Sequence, residues 1–239
     1  MSHHEIPTGE KEARFAAQSV IVARILENGM RAYSEEITDL DAAFSTDDKV
    51  IRCIDEGTPG GVHLAGSGIL MDAAQLTASL RAMGATGITS HSHCGAAGLY
   101  AKAQGLDPSK SDEYGREFAE KLSAETGVPY AGHIDELARP EEFHDAIACY
   151  YDMSGSFDPS HVADLPKGFV VSRKFLPAEY AQKELEIAIS IAVGDHGYGE
   201  LITAENPFLV VVVGGDGNAL KEAREIVKKF GDKVRVETL

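Results

Sequence analysis

The sequence predicts an α/β fold, a mostly parallel central sheet with helices on both faces. Three observations carry that reading. Short apolar runs alternate along the chain with stretches whose apolar residues recur at helical spacing. Glycine-rich and acidic turn segments separate the two kinds of run. Strands that alternate with helices pair in parallel, because each helix carries the chain back across the sheet.

The elements follow in order. Residues 8–31 read as a helix, since Phe15, Val20, Ile21, Ile25 and Leu26 fall near helical spacing and Gly29 marks an end. The polar run Ser45-Thr46-Asp47-Asp48 leads into a buried strand at about 49–54. A turn-rich segment, Gly57-Thr58-Pro59-Gly60-Gly61, precedes residues 62–70 with their Gly66-Ser67-Gly68. Asp72 is the expected N-cap of a helix over 73–83 that stops near Gly84. A second strand is expected at 87–90, with a helix starting around Gly95. Then come a helix at about 112–126, a strand at about 145–152, a strand-like segment at 168–172 and an amphipathic helix at about 178–193. The tail reads strand (208–213), helix (219–230) and strand (233–237). These divide into an N-terminal helical arm (1–44), an α/β core (45–164) and a C-terminal α/β extension of the same sheet (165–239). No internal repeat or low-complexity tract is visible.

Composition narrows the function. A chain of 239 residues supports one sizeable core, and its formal charge of −16 is the wrong sign for a nucleic-acid backbone. No run of about 18 apolar residues suggests a membrane span, and the opening residues lack the pattern of an export signal. His3 and His4 are too close together to make a ligand set. Three cysteines without an export signal point to a reducing, cytoplasmic setting in which thiols serve metal binding or chemistry. The expected partner is a small-molecule substrate, with neither nucleic acid nor membrane.

Two of those cysteines carry the chemistry. Cys53 closes the first apolar run, and His91 and Cys94 stand at the exit of the second. In an open parallel sheet, ligands gather at the carboxyl ends of the strands. Two thiolates and an imidazole suit Zn2+, and three protein ligands leave a fourth position for water. Asp55, two residues past Cys53, is placed to orient that water or to ligate the metal itself. His93 projects between the ligands and fits a supporting or solvent role. Cys149, inside Ala146-Ile147-Ala148-Cys149-Tyr150-Tyr151, reads as a buried apolar residue.

Cys53-Ile54-Asp55 followed by His91-Ser92-His93-Cys94-Gly95 resembles the zinc-binding pattern of the β-class carbonic anhydrases, Cys-x-Asp-x-Arg then His-x-x-Cys-Gly. His63-Leu64-Ala65-Gly66-Ser67 lies where that family has Arg-Asn-Ala-Gly, and Tyr150-Tyr151-Asp152 is similar to its late Tyr-Asp strand. The resemblance covers about residues 45–160. It implies Zn2+ held by Cys53, His91 and Cys94, with Asp55 catalytic and Glu56, His63, Gly66, Ser67 and Gly95 lining the pocket. It also implies hydration of CO2, or of COS or CS2, by a zinc-activated water. The assembly it implies is a homodimer whose pockets are partly lined by the second subunit. One departure bears on activity. Gly57 stands where the family's arginine, partner of the aspartate, is expected, and His63 or Glu56 is left to hold Asp55 instead.

Two other readings use the same residues. One is a non-catalytic zinc protein with Asp55 as fourth ligand. The other is a cysteine hydrolase with Cys94 as nucleophile and a neighbouring histidine as base. The remaining motifs read more plainly. Gly60, Gly61, Gly66 and Gly68 bring backbone close to the pocket, and Gly214-Gly215-Asp216-Gly217-Asn218 is a capped turn. Asp195-His196-Gly197-Tyr198-Gly199-Glu200 is the loop ending the 178–193 helix, with a lid, a proton shuttle or a second metal site as the alternatives. His133, His144 and His161 are expected at the surface.

Overall fold

In a computed structural model, described over residues 9–45, 48–215 and 217–239, the chain is α/β with parallel strands throughout. His3, His4, Thr46, Asp47 and Asp216 lie outside the described residues. The expected single sheet is corrected to two four-stranded sheets. The first contains β1 (Val50–Arg52), β2 (Val62–His63), β3 (Gly87–His91) and β4 (Tyr130–Ile134), in the order β2-β1-β3-β4. The second contains β5 (Ala148–Asp152), β6 (Gly168–Val171), β7 (Phe208–Val213) and β8 (Val234–Thr238), in the order β6-β5-β7-β8. The strands of the tail therefore extend β5, not the sheet that carries the site.

The two orders are the same topology used twice. The sheets meet at equivalent edges, where Val170 N–H donates to Ile54 O and Ser172 N–H to His63 O. Since His63 pairs with Arg52, residue numbers fall on one side of this seam as they rise on the other. The halves thus meet antiparallel, back to back, and the two-residue β2 is too short to carry a full ladder across.

Helices form where the sequence supplies spacing and caps. The first helix, α1 (Glu10–Asn28), buries Phe15, Val22 and Ile25 and ends at Gly29, whose φ is 81°. Val20, expected on the inner face, is 65% exposed. The short α2 (Met30–Ser34) follows, and Met30 N–H donates to Glu237 in β8, so the arm packs on the C-terminal sheet. The next helix, α3 (Ala73–Met83), begins where Asp72 accepts from Gln75 N–H at 3.0 Å and ends at left-handed Gly84. Then come α4 (Gly95–Ala103), α5 (Ser111–Thr126), α6 (Ala178–Val193) and α7 (Gly217–Val227).

Every residue of β3, β5 and β7 is buried, as parallel strands covered on both faces require. The strand β4 escapes sequence reading for a physical reason. It is an edge strand, none of its residues is fully buried, and Gly132 interrupts it at φ 107°. No helix among the described residues is long and apolar enough to cross a membrane.

Candidate metal centre

The sheet brings the three expected ligands together. Strands β1 and β3 are hydrogen-bonded neighbours, with Ile51 beside Ile88. Cys53 follows β1 directly, His91 ends β3, and Cys94 is the N-cap of α4. All three are buried, and Cys53 Sγ, Cys94 Sγ and an imidazole nitrogen of His91 lie within 4.8 Å of one another. Two thiolates about 2.3 Å from one tetrahedral ion would sit roughly 3.8 Å apart, so the group is compact enough to hold a metal ion.

The details fit that use. His91 Nδ1 donates to Ser92 O at 2.8 Å, which fixes the ring and leaves Nε2 with its lone pair free. That Nε2 is buried and, like Nε2 of His63, has no hydrogen-bond partner among the described residues, but it alone lies beside the two sulfurs. Gly66 N–H donates to Cys53 Sγ at 3.2 Å. A side chain on Gly66, whose φ is 54°, would place its Cβ 2.9 Å from Ala96 Cβ and 3.4 Å from Cys94 Sγ. Only glycine lets this backbone pass between the sulfurs and α4.

The three groups shift one another's proton affinities. The hydrogen bond to Cys53 lowers the pKa of Cys94, and backbone N–H groups at the start of α4 lower it further. The same bond, together with burial, raises Cys53 well above the usual thiol range. Burial alone would lower His91, yet the nearby Cys53 overcomes it and raises the imidazole to about 9.

Asp55 is held by a residue the sequence did not point to. Arg139, in the loop after β4, donates Nε–H to Asp55 Oδ1 at 2.8 Å and Nη2–H to Oδ2 at 2.9 Å. Its Nη1 donates to Pro140 O at 2.8 Å. Both side chains are almost fully buried. Gly57 N–H adds a third hydrogen bond to Oδ1 at 2.8 Å. Burial pushes the Asp55 carboxyl up, but the Arg139 hydrogen bonds and charge, with His144, hold it well below the ordinary carboxylate range.

His63 and Glu56, the expected partners of Asp55, serve elsewhere. His63 Nδ1 donates to Cys53 O at 2.7 Å and so orients that ligand's backbone. Glu56 accepts from Asp145 N–H and pairs with His144 at 2.9 Å. His144 is corrected from the surface to a half-buried position, and His133 is likewise enclosed by hydrogen bonds to Ser90 and Ser92. His161 is at the surface as expected. Asp55, Glu56 and His144 form a second cluster with ligating atoms within 4.8 Å. Arg139 already occupies both oxygens of Asp55, so that cluster is satisfied by hydrogen bonds.

Of the other expected pocket residues, Ser67 is buried and donates Oγ–H to Thr89 O at 2.7 Å, which places it behind the metal group. Asp55, Glu56 and His63 line a cavity of about 280 Å3 at the seam between the sheets. Gly95 lines a larger cavity of about 800 Å3 with Cys94, Arg139, His144, Ile191 and His196. The 195–200 segment is the loop that ends α6. His196 O accepts from His144 N–H at 2.7 Å, and Tyr198 is buried against Phe15. His93, at φ 59°, faces Glu141 at the surface and stands apart from the ligand group. Cys149 is fully buried, with its thiol raised by burial. Comparison of the chain with family models, curated proteins and solved structures returns no match.

Proposed function

We propose that this chain is a zinc-dependent hydro-lyase of the β-class carbonic anhydrase kind, hydrating CO2 or a related small molecule such as COS or CS2. The observation that carries the proposal is the unpartnered His91 Nε2 beside two buried sulfurs, next to an aspartate locked by arginine. Two thiolates and one imidazole favour zinc among common divalent ions and leave one position open. Cys53, His91 and Cys94 would hold the ion, which would supply a water activated near pH 7 as nucleophile.

The chain's own residues supply the rest. Arg139 keeps Asp55 ionised and turns both of its oxygens away from a capping role. Oδ1 already accepts from Arg139 and Gly57, whereas Oδ2 accepts from Arg139 alone and retains a lone pair. Oδ2 is thus the atom that would accept a hydrogen bond from the reacting water and orient it. Arg139 also answers the departure at Gly57, since the guanidinium expected two residues after Asp55 arrives from the loop after β4. Cys94 and Arg139 line the large cavity, whose far wall α6 of the same chain forms through Lys183, Ile187 and Ile191, while Asp55 lines the smaller cavity at the seam.

The grip of Arg139 on both oxygens speaks against Asp55 as fourth ligand. The lowered pKa of Cys94 is the one observation favouring a thiol hydrolase. Metal analysis and stopped-flow CO2 hydration across pH 6–9 separate the readings. Stoichiometric zinc with a catalysed rate that rises with pH supports the hydro-lyase. Stoichiometric zinc with only the uncatalysed rate leaves a binding protein, and a zinc-free sample with hydrolase activity leaves the thiol enzyme.

A further inference from the structure

Glu184 is a carboxyl buried where the fold has no general need for one. It lies on α6, on the same face as Ala181, Leu185 and Ala188, and is 3% exposed. Its Oε1 accepts from Ala65 N–H at 3.0 Å, and its Oε2 has no hydrogen-bond partner among the described residues. Burial raises its pKa to about 8, so it is mainly a neutral acid at pH 7. A buried polar group left half-satisfied is costly. An apolar residue would serve the helix face better, so the reason for a glutamate lies at Ala65.

Ala65 opens the turn that touches the metal ligands. The next two residues, Gly66 and Ser67, are both left-handed, with φ of 54° and 55°. That conformation disfavours Ser67 and must be imposed by its surroundings. Ser67 is held on its far side by its bond to Thr89 O. On its near side the turn is held by Glu184 through Ala65. Between these two anchors Gly66 N–H points at Cys53 Sγ. The hydrogen bond that Glu184 accepts thus lies one residue from the one donated to the Cys53 sulfur, linking the C-terminal half of the chain to the N-terminal site.

We propose that Glu184 is a positioning residue for the metal centre. It fixes the Leu64–Ala65 peptide, one residue before the Gly66 N–H that donates to Cys53, and thereby sets metal affinity and the charge the thiolate gives to the ion. The proposal rests on the metal reading of Cys53, His91 and Cys94. Partners of ligands in this role typically change metal affinity about 10- to 100-fold when removed.

The test uses the full chain loaded with zinc or with cobalt as a spectroscopic substitute. Glu184→Leu removes the acceptor, Glu184→Asp withdraws it by one methylene, and Glu184→Gln keeps it without the ionisable proton. Expected are a zinc affinity about 10- to 100-fold weaker in the Leu and Asp variants by chelator competition, and shifted thiolate-to-cobalt absorption bands. The Gln variant restores both. A Leu variant that folds and yet keeps wild-type zinc affinity and cobalt spectrum overturns the proposal. If the Leu variant does not fold, the Asp variant decides on the same two readouts. Wild-type protein that takes up neither ion refutes the metal reading itself, a different outcome from unaltered variants.

Discussion

Arg139 reaches Asp55 through space that only a glycine at position 57 leaves open. A Cβ at Gly57 would lie 2.9 Å from Arg139 Cγ, 2.9 Å from Leu137 Cβ and 3.0 Å from Asp55 Oδ1. The glycine at 57 and the arginine at 139 are therefore one arrangement. Gly57→Ala is expected to displace the guanidinium and to destabilise the fold by about 1–3 kcal/mol, the usual cost of overpacking. Urea denaturation with an unchanged m value checks the size, and an unaltered midpoint would contradict the packing argument.

Removing the arginine itself should cost more. Arg139→Met leaves Asp55 as an uncompensated buried charge, and losing one partner of a buried pair typically costs about 3–5 kcal/mol. Both side chains are only 2% and 4% exposed, so solvent screening offers little relief. Equilibrium unfolding at pH 7 measures the loss. Because Asp55 is depressed in the folded state, its contribution is present above its unfolded pKa of about 3.9 and fades as pH falls below that. The gap between wild type and Arg139→Met should therefore narrow in acid.

Glu184 carries the opposite sign. Its folded pKa of about 8 exceeds the ordinary value of 4.5, so the folded state binds a proton that the unfolded state has lost. Stability should consequently fall as pH rises from about 5 to 8, by at most about 1.4 kcal/mol for each step of one in pH. Glu184→Gln removes this slope. Metal-free wild type and variant unfolded across pH 5–8 should diverge, and parallel curves would refute the buried neutral acid.

Metal uptake should release protons. In the metal-free protein His91 is raised to about 9 and Cys53 is held well above the usual thiol range, whereas a bound ion requires a neutral imidazole and thiolates. Affinity is expected to climb with pH toward about 9. Calorimetry in buffers of different ionisation enthalpy reads the release directly, and a buffer-independent heat would count against it.

Thiol labelling should rank the cysteines. Cys94 has the lowered pKa and lines the large cavity, while Cys149 is fully buried with a raised one. Metal-free protein is expected to be alkylated first at Cys94 and last at Cys149, and zinc should protect Cys94. Peptide mass spectrometry follows each site. Early modification of Cys149 would mean that the C-terminal sheet opens more readily than its packing implies.

What the sequence disclosed was local. Cys53, His91 and Cys94 were legible because each closes or follows a short apolar run, and Asp72 and Gly84 because caps are short-range chemistry. Arg139 was not, because it sits in an irregular loop 84 residues from Asp55 and its neighbours carry no motif. Glu184 left a trace that could have been read. It stands at the apolar spacing of Ala181, Leu185 and Ala188, where an acid is out of place. The repeated strand order left none, since equivalent strands share topology without sharing residues.

X-ray absorption at the zinc edge on the purified, metal-replete chain probes the core of the account most directly. Two sulfurs near 2.3 Å and two lighter N or O neighbours near 2.0 Å are expected (lengths about those usual for thiolate and imidazole), one sulfur being lost in Cys94→Ser. A protein that holds no zinc in stoichiometric amount, or a spectrum unmoved by that substitution, would contradict it.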